Sequence, residues 1–462
     1  MPTRSLKAMP TPPGRLLTGH FQALWNDGPR TMLEGHRDHG DHVRFRFGPF
    51  SYVSLRDLED VRKVLVTDAQ RYTKSKVYTA LKLLLGEGLV TSEGAMWQRQ
   101  RKLSSPAFRP RAVASFTEAM GACTRDLGER WRGLGDGAEL DVHDEMMRLT
   151  LRIVGMTLVS KDLEGEARAF GEALSTVLEY INDVGGNPLA SILWIPTAKN
   201  RRTLAARDTL DAVIQGIIDE RRRAGSGPGD LLDMLMAARD EDTGEGMDAR
   251  QLRDELMTLV VAGHETTSNA LSWTWYLLSQ HPEHVQRLRA EVDEVLGDRL
   301  PTPEDLAKLE HTERVLKESM RVYPPVWAVE REPSEAVEVG GYRLPKGTMI
   351  GISPYVLHRD PQHWPDPERF DPDRFTPERS AGRPRYAYLP FGAGPRVCIG
   401  AGFALTEAKA ILAMLVRRFD LERVPGQAVH MEPGITLRPK HGLRMRLRVR
   451  GAAQAQDLSS VA

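Results

Sequence analysis

Cysteine is scarce in this chain, with only Cys123 and Cys398 among 462 residues. Two thiols cannot form the disulfide framework of a small secreted domain, and a reducing, cytoplasmic setting is expected. Charge of one sign is also lacking. Lysine plus arginine equals aspartate plus glutamate at 63 each, which removes any global electrostatic drive toward nucleic acid. No stretch of about 18 consecutive apolar residues is present to span a bilayer. The N-terminus, MPTRSLKAMPTPPGRLL, has a little positive charge but no apolar run behind it, so no secretory signal is expected. Low-complexity segments and internal repeats are missing too.

The composition is that of a folded protein, 41% hydrophobic and 27% charged. Residues 1–40 read as a lead-in containing a helical segment. Between His42 and Leu55, Val43, Phe45 and Phe47 alternate with Arg44 and Arg46, and Gly48 and Pro49 turn the chain, which predicts a hairpin. From about 56 to 330 the apolar spacing is mostly helical, broken by loops at 225–230 and 240–248. Short alternating runs surround Gly340 and Gly341, and Leu443, Met445, Leu447 and Val449 alternate with arginines. The expected fold is mainly α, a large helical body with a small β-rich lobe. A segment from about 355 to 397, rich in Pro, Asp and Arg, lacks regular periodicity and is too long for an ordinary loop.

Cys398 lies in FGAGPRVCIG (Phe391–Gly400), immediately before a helical run. A helix N-terminus stabilises negative sulfur, so a lowered cysteine pKa is expected, and Gly394 and Gly400 would let backbone approach a flat cofactor. Cys123, in an amphipathic helical stretch, reads as a small buried hydrophobe. A second unusual stretch, AGHETT (Ala262–Thr267), sits in the middle of about 30 residues of helical spacing. Gly263 there costs about 1 kcal/mol relative to alanine, and two β-branched threonines follow. The Thr266 hydroxyl can compete for the Ala262 carbonyl and bend the helix. His264 reads as structural.

Phe-x-x-Gly-x-Arg-x-Cys-x-Gly resembles the haem-binding loop of the cytochrome P-450 family at every fixed position, and AGHETT resembles its oxygen-binding motif. The resemblance covers roughly residues 40–450. It implies one haem domain over 41–450, flanked by the lead-in and a tail at 451–462, with haem b between the central helix and the cysteine loop. Cys398 is then the sulfur ligand to iron, Phe391 packs near the sulfur, Gly400 closes the loop and Arg396 meets a haem propionate. Thr266 becomes the hydroxyl near dioxygen, and Glu265 the acid feeding protons. Adjacent helix positions do not face each other, so Glu265 must act through water or a rotated side chain.

Trp97 and Arg101, one helical turn apart, resemble the family's propionate-binding helix. Arg331 and His358 are further propionate candidates. Glu318 and Arg321, three apart on one helix face, need a third partner; PERF and PDRF offer Arg369 and Arg374, and the family's meander favours Arg374 for a structural triad. Substrate-pocket candidates are Val90, Val261, Ala262, Val326, Trp327 and Ile435, mostly aliphatic, which suits an apolar terpenoid, steroid, fatty acid or secondary metabolite. The implied reaction is insertion of one atom of dioxygen by hydroxylation or epoxidation. Two cysteines cannot hold a four-cysteine iron–sulfur cluster, so electrons are expected from NAD(P)H through a separate ferredoxin and ferredoxin reductase. Arg99, Lys102, Arg109 and Arg111 form a basic cluster that could attract an acidic donor. Two other readings keep haem binding but change the role: a peroxide-driven peroxygenase or isomerase, and a non-catalytic haem sensor.

Overall fold

A computed structural model describes residues 3–48, 50–186, 195–225 and 227–450. Pro49, position 226 of the 225–230 loop and the 451–462 tail lie outside them. The expected hairpin forms from strands His42–Phe47 and Phe50–Leu55, with Phe47 opposite Phe50. Its apolar alternation does what the pattern asks: Val43 and Phe45 are fully buried, while Arg44 and Arg46 are partly exposed. Strands 349–352, 329–333 and 72–74 extend this hairpin to a five-stranded sheet. The lead-in is integrated with it: strand Arg4–Ser5 runs parallel to Tyr342–Leu344, and Leu24 and Met32 of helix Phe21–His39 pack against Val43 and Phe45. Gly340 and Gly341 turn the 337–344 hairpin with φ of 58° and 74°, which glycine adopts without a Cβ penalty.

The helical body is built around the helix Ala249–Leu278. Its start is set by Asp248, whose carboxylate accepts the Gln251 N–H at 2.7 Å. At 1.5 Å per residue it is about 45 Å long, enough to cross the domain. It is buried along most of its length because Val142–Leu158, Ala198–Ala224, Glu310–Val322 and Ala401–Arg418 all pack on it. The helix stays continuous through Ala262–Thr267. Cys123 is buried in helix Thr117–Leu134, and burial pushes its thiol up to about 11.

The irregular segment 355–397 is held by its own short 3₁₀ and α turns and by buried Trp364 and Phe370. Arg321 supplies the anchor. All five of its N–H donors are used: two on Glu318 at 2.7 and 2.8 Å, and three on the carbonyls of His358, Pro367 and Arg369. Glu318 also accepts the Asp371 N–H, and Arg374 Nε lies 3.4 Å from Glu318 Oε1. Between the two candidates the structure brings Arg374 to the pair. Arg369 contributes its carbonyl instead.

Candidate active site

The loop Phe391–Gly400 closes through its backbone, with the Cys398 N–H donating to the Phe391 carbonyl at 2.9 Å. Gly394 has φ 69°, and a Cβ there would fall 1.9 Å from the Leu65 carbonyl oxygen. Its smallness therefore serves the packing of the loop on residues 63–67. Gly400 has an ordinary φ of −88° and precedes the helix Ala401–Arg418; its N–H donates to the cysteine sulfur.

Cys398 is exposed, yet burial under surrounding protein pushes its thiol up, outweighing the Gly400 amide and the Arg101 charge. The two facts agree if the sulfur faces an enclosed space rather than bulk water. The expected lowering of its pKa by the helix terminus is thus overturned by desolvation. Among the described residues no three His, Cys, Asp or Glu side chains gather as a metal cage, so Cys398 is a lone sulfur donor.

Within the buried middle of the central helix, Ala262 is exposed and Gly263 and Thr266 are partly so. The Thr266 hydroxyl donates to the Ala262 carbonyl at 2.8 Å. Ser272 and Thr274 make the same bond four residues back while fully buried. What distinguishes Thr266 is therefore the open face it shares with Ala262. His264 is buried and burial lowers its pKa to about 4, in keeping with a packing role. Glu265 points elsewhere: its Oε1 accepts from the Thr436 hydroxyl at 2.7 Å, and burial raises its pKa against the pull of Thr436 and Arg438.

Positive charge gathers beside the cysteine loop. Arg101 donates to the Val397 carbonyl at 2.9 Å. The Arg396 guanidinium stacks 3.9 Å over the Trp97 ring, donates to the Ser92 carbonyl and pairs with Glu93. Strand 72–74 places Lys74 opposite Arg331. Burial, then repulsion from Arg396 and Arg331, lowers Lys74 to about 7, and burial lowers Arg396 to about 10. Lys74, Arg101, Arg331 and Arg396 thus surround little negative charge beyond Glu93, a donor set suited to two carboxylates. Lys74 and Glu93 were not singled out from sequence, since no motif marks them and their meeting depends on strand register.

His358 is not part of this cluster. It is fully buried, accepts the Leu389 N–H at Nε2 and lies 5.0 Å from the Tyr388 ring, with its pKa lowered to about 3 by burial. Its expected role toward a propionate is replaced by one in the core of the 355–397 segment. The basic cluster also changes. Arg99 and Lys102 are met by Asp240, Glu241, Asp242 and Glu245 from the 240–248 loop, while Arg109 and Arg111 are exposed.

Of the pocket candidates, the segments that carry Val326, Trp327 and Ile435 are tied together. Trp327 Nε1 donates to the Gly434 carbonyl at 2.9 Å and the Leu437 N–H to Pro325 at 2.8 Å. The Trp327 ring also seals against Gly28, where a Cβ would lie 2.7 Å away. Val90 is partly buried, its carbonyl taken by Lys74, and Val261 is buried in the main core.

The family model for cytochrome P450 matches residues 9–444. This chain belongs to the cytochrome P450 family. A crystal structure of the cytochrome P450DA haem domain superposes with a TM-score of 0.89 at 28% identity, covering 98% of this cytochrome P450 and 100% of that chain. Cyclooctatin synthase of Streptomyces melanosporofaciens is 38% identical over 94% of both chains. Cyclooctat-9-en-7-ol 5-monooxygenase of the same organism is 39% identical over 90% of both. This cytochrome P450 is a monooxygenase with haem b as cofactor. The lone exposed sulfur and the cations beside it fit that group. No helix among the described residues is long and apolar enough to cross a membrane.

Proposed function

We propose that the enzyme inserts one oxygen atom from dioxygen into an apolar, terpenoid-like substrate, with Cys398 as the residue whose sulfur would hold the haem iron. The observation that carries this is the exposed sulfur of the Phe391–Gly400 loop, beside cations, in a fold whose central helix is buried through its middle except at Ala262, Gly263 and Thr266. Haem, when bound, supplies reductive activation of dioxygen and the oxygen transfer. The haem domain spans 41–450, with the lead-in packed on it.

Trp97, Arg101, Arg331, Arg396 and Lys74 hold the propionates, their clustered charge answering two carboxylates. Phe391 and Gly400 hold the sulfur, the latter through its N–H. Glu318, Arg321 and Arg374 hold the 355–397 segment and through it the cysteine loop. Glu265 keeps a proton on a carboxyl whose pKa burial raises, and releases it toward Thr266, whose hydroxyl is tied to the Ala262 carbonyl until it turns. Val90, Ala262, Val326, Trp327 and Ile435 form an apolar wall that orients substrate and excludes water, with Val261 packed in the core behind it. Two relatives carry names from cyclooctatin chemistry, which favours a cyclic terpenoid over a straight acyl chain. Electrons come from NAD(P)H by way of a ferredoxin and its reductase, with exposed Arg109 and Arg111 available to an acidic donor. Both cysteines are free thiols, which favours a reducing, cytoplasmic setting.

The test is spectroscopic and chemical. The reduced carbonyl adduct should show the red-shifted Soret band of thiolate ligation, and polycyclic diterpene alcohols should shift the ferric Soret band where lauric acid does not. A reduced adduct without that band overturns the ligand assignment. A shift with lauric acid alone overturns the substrate class.

A further inference from the structure

The Glu265 carboxyl is held away from the open face of its own helix. The Thr436 hydroxyl donates to Glu265 Oε1 at 2.7 Å and accepts from Asn269 Nδ2 at 3.0 Å. All three side chains are buried, and Asn269 lies one turn beyond Glu265 on the same helix. Thr436 belongs to the hairpin of strands Met431–Pro433 and Leu437–Pro439. That hairpin is pinned by Trp327 on Gly434, by Leu437 on Pro325 and by Trp273 Nε1 on the Leu437 carbonyl at 2.9 Å. The side chain next to Thr436 is Ile435, which packs partly buried against the main core and is one of the residues proposed above to line the substrate pocket.

We propose that Thr436 is a positioning residue that parks Glu265 on the hairpin side of the central helix, and that pressure of substrate on Ile435 frees it for proton delivery. This rests on the reading of Glu265 as the proton source. The parked and freed states have different hydrogen-bond sets, and neither wastes the Thr436 hydroxyl. When parked, the hydroxyl donates to Glu265. Once Glu265 has swung away, it can donate to Asn269 Oδ1, which has no hydrogen-bond partner in the parked state, after the amide turns over. A two-state element of this kind can be biased by a small displacement of its neighbour. In the freed state the carboxyl gives up its proton on the Thr266 side, becomes carboxylate, and regains a proton from water. Each dioxygen reduced to hydrogen peroxide consumes two such protons and two electrons from the nicotinamide cofactor. Reductant use without substrate therefore reads how often Glu265 escapes.

The experiment uses the full-length holoenzyme with NADPH, a ferredoxin and its reductase, and no substrate. Thr436→Val removes the hydroxyl at nearly constant volume. It should raise reductant consumption and peroxide formation about 3- to 10-fold, the loss of one buried hydrogen bond. Thr436→Ser restores the hydroxyl and should bring the rate back toward that of the wild type. Asn269→Ala removes a bond to Thr436 from both states, but the parked hydroxyl still donates to Glu265 while the freed one is left buried with no partner, so the rate should move in the opposite direction, down about 3-fold. General damage to packing would push both variants the same way, which would overturn the proposal. If Thr436→Val loses haem, as seen in the reduced carbonyl spectrum, Asn269→Ala decides: an unchanged or increased rate overturns it. Glu265→Gln separates the two levels. If it consumes reductant like the wild type, Glu265 is not the proton source and the underlying reading falls. If it slows while Thr436→Val is indistinguishable from the wild type, the reading stands and the parking role falls.

Discussion

Replacing Arg321 by lysine keeps the charge and removes the fork, and the structure sets what that costs. Arg321 satisfies two carboxylate oxygens of Glu318 and three backbone carbonyls, all in a fully buried site. An ammonium has three donors against the guanidinium's five, so at least two buried acceptors lose their partner. At about 1–3 kcal/mol for each orphaned group, the variant loses about 2–6 kcal/mol. Against a total of about 5–15 kcal/mol for a typical domain, that is a large fraction. The carbonyls at risk belong to His358, Pro367 and Arg369, so damage should begin in the segment that supports the cysteine loop. Denaturant unfolding of the holoprotein should show a lower midpoint, and hydrogen exchange should show 355–375 opening first. Arg374→Lys should cost less, since Arg374 makes three hydrogen bonds, to the carbonyls of Pro365, Asp366 and Arg369, a number that an ammonium's three donors can match. The reasoning is refuted if Arg321→Lys unfolds within about 1 kcal/mol of the wild type, inside the range of an ordinary surface change.

Cys398→Ala should abolish monooxygenation and the red-shifted carbonyl band; normal turnover by a haem-loaded variant would contradict the ligand assignment. Thr266→Ala should divert reducing equivalents to peroxide, measured as product formed per NAD(P)H consumed. Gly394→Ala places a methyl 1.9 Å from the Leu65 carbonyl at φ 69°; it should cost more than the roughly 1–2 kcal/mol of a left-handed residue and lower haem occupancy. Asp373 is held at about 2 by its hydrogen bonds to Arg287, against about 3.9 in an unfolded chain. The unfolded state therefore takes up this proton first as pH falls. The pair's stabilising effect is complete above about pH 4 and is lost toward about pH 2, and Asp373→Asn should flatten that part of the acid-unfolding curve.

Features carried by neighbouring residues were legible in the sequence. The 42–55 hairpin, the 30-residue central helix and the cysteine loop each announce themselves within a few turns or a few residues of chain. So did the bond from Thr266 to Ala262, because an i−4 contact needs no other element. What escaped depends on remote partners. Lys74 meets Arg331 across more than 250 residues through a three-residue strand whose pattern carries no register. Glu265 turns toward Thr436, 171 positions away, because the buried hydroxyl there competes for its carboxyl. Arg99 and Lys102 read as a free basic cluster until the acidic 240–248 loop folds over them. His358 keeps the polarity expected of an anion ligand, but its ring is spent on the Leu389 amide. For Cys398, the helix terminus was visible in the sequence and the stronger desolvation was not.

On the proposed propionate site, the crowding of Lys74, Arg101, Arg331 and Arg396 would tie folding to cofactor capture. Like charges brought together by the fold are a debit on the cofactor-free chain, and a dianionic ligand that settles among them cancels it. Affinity for haem and resistance to unfolding therefore rise together, by about 1.4 kcal/mol for each tenfold excess of ligand over its dissociation constant. Maturation of this enzyme is in that sense a neutralisation, completed when the porphyrin's acidic edge takes its seat.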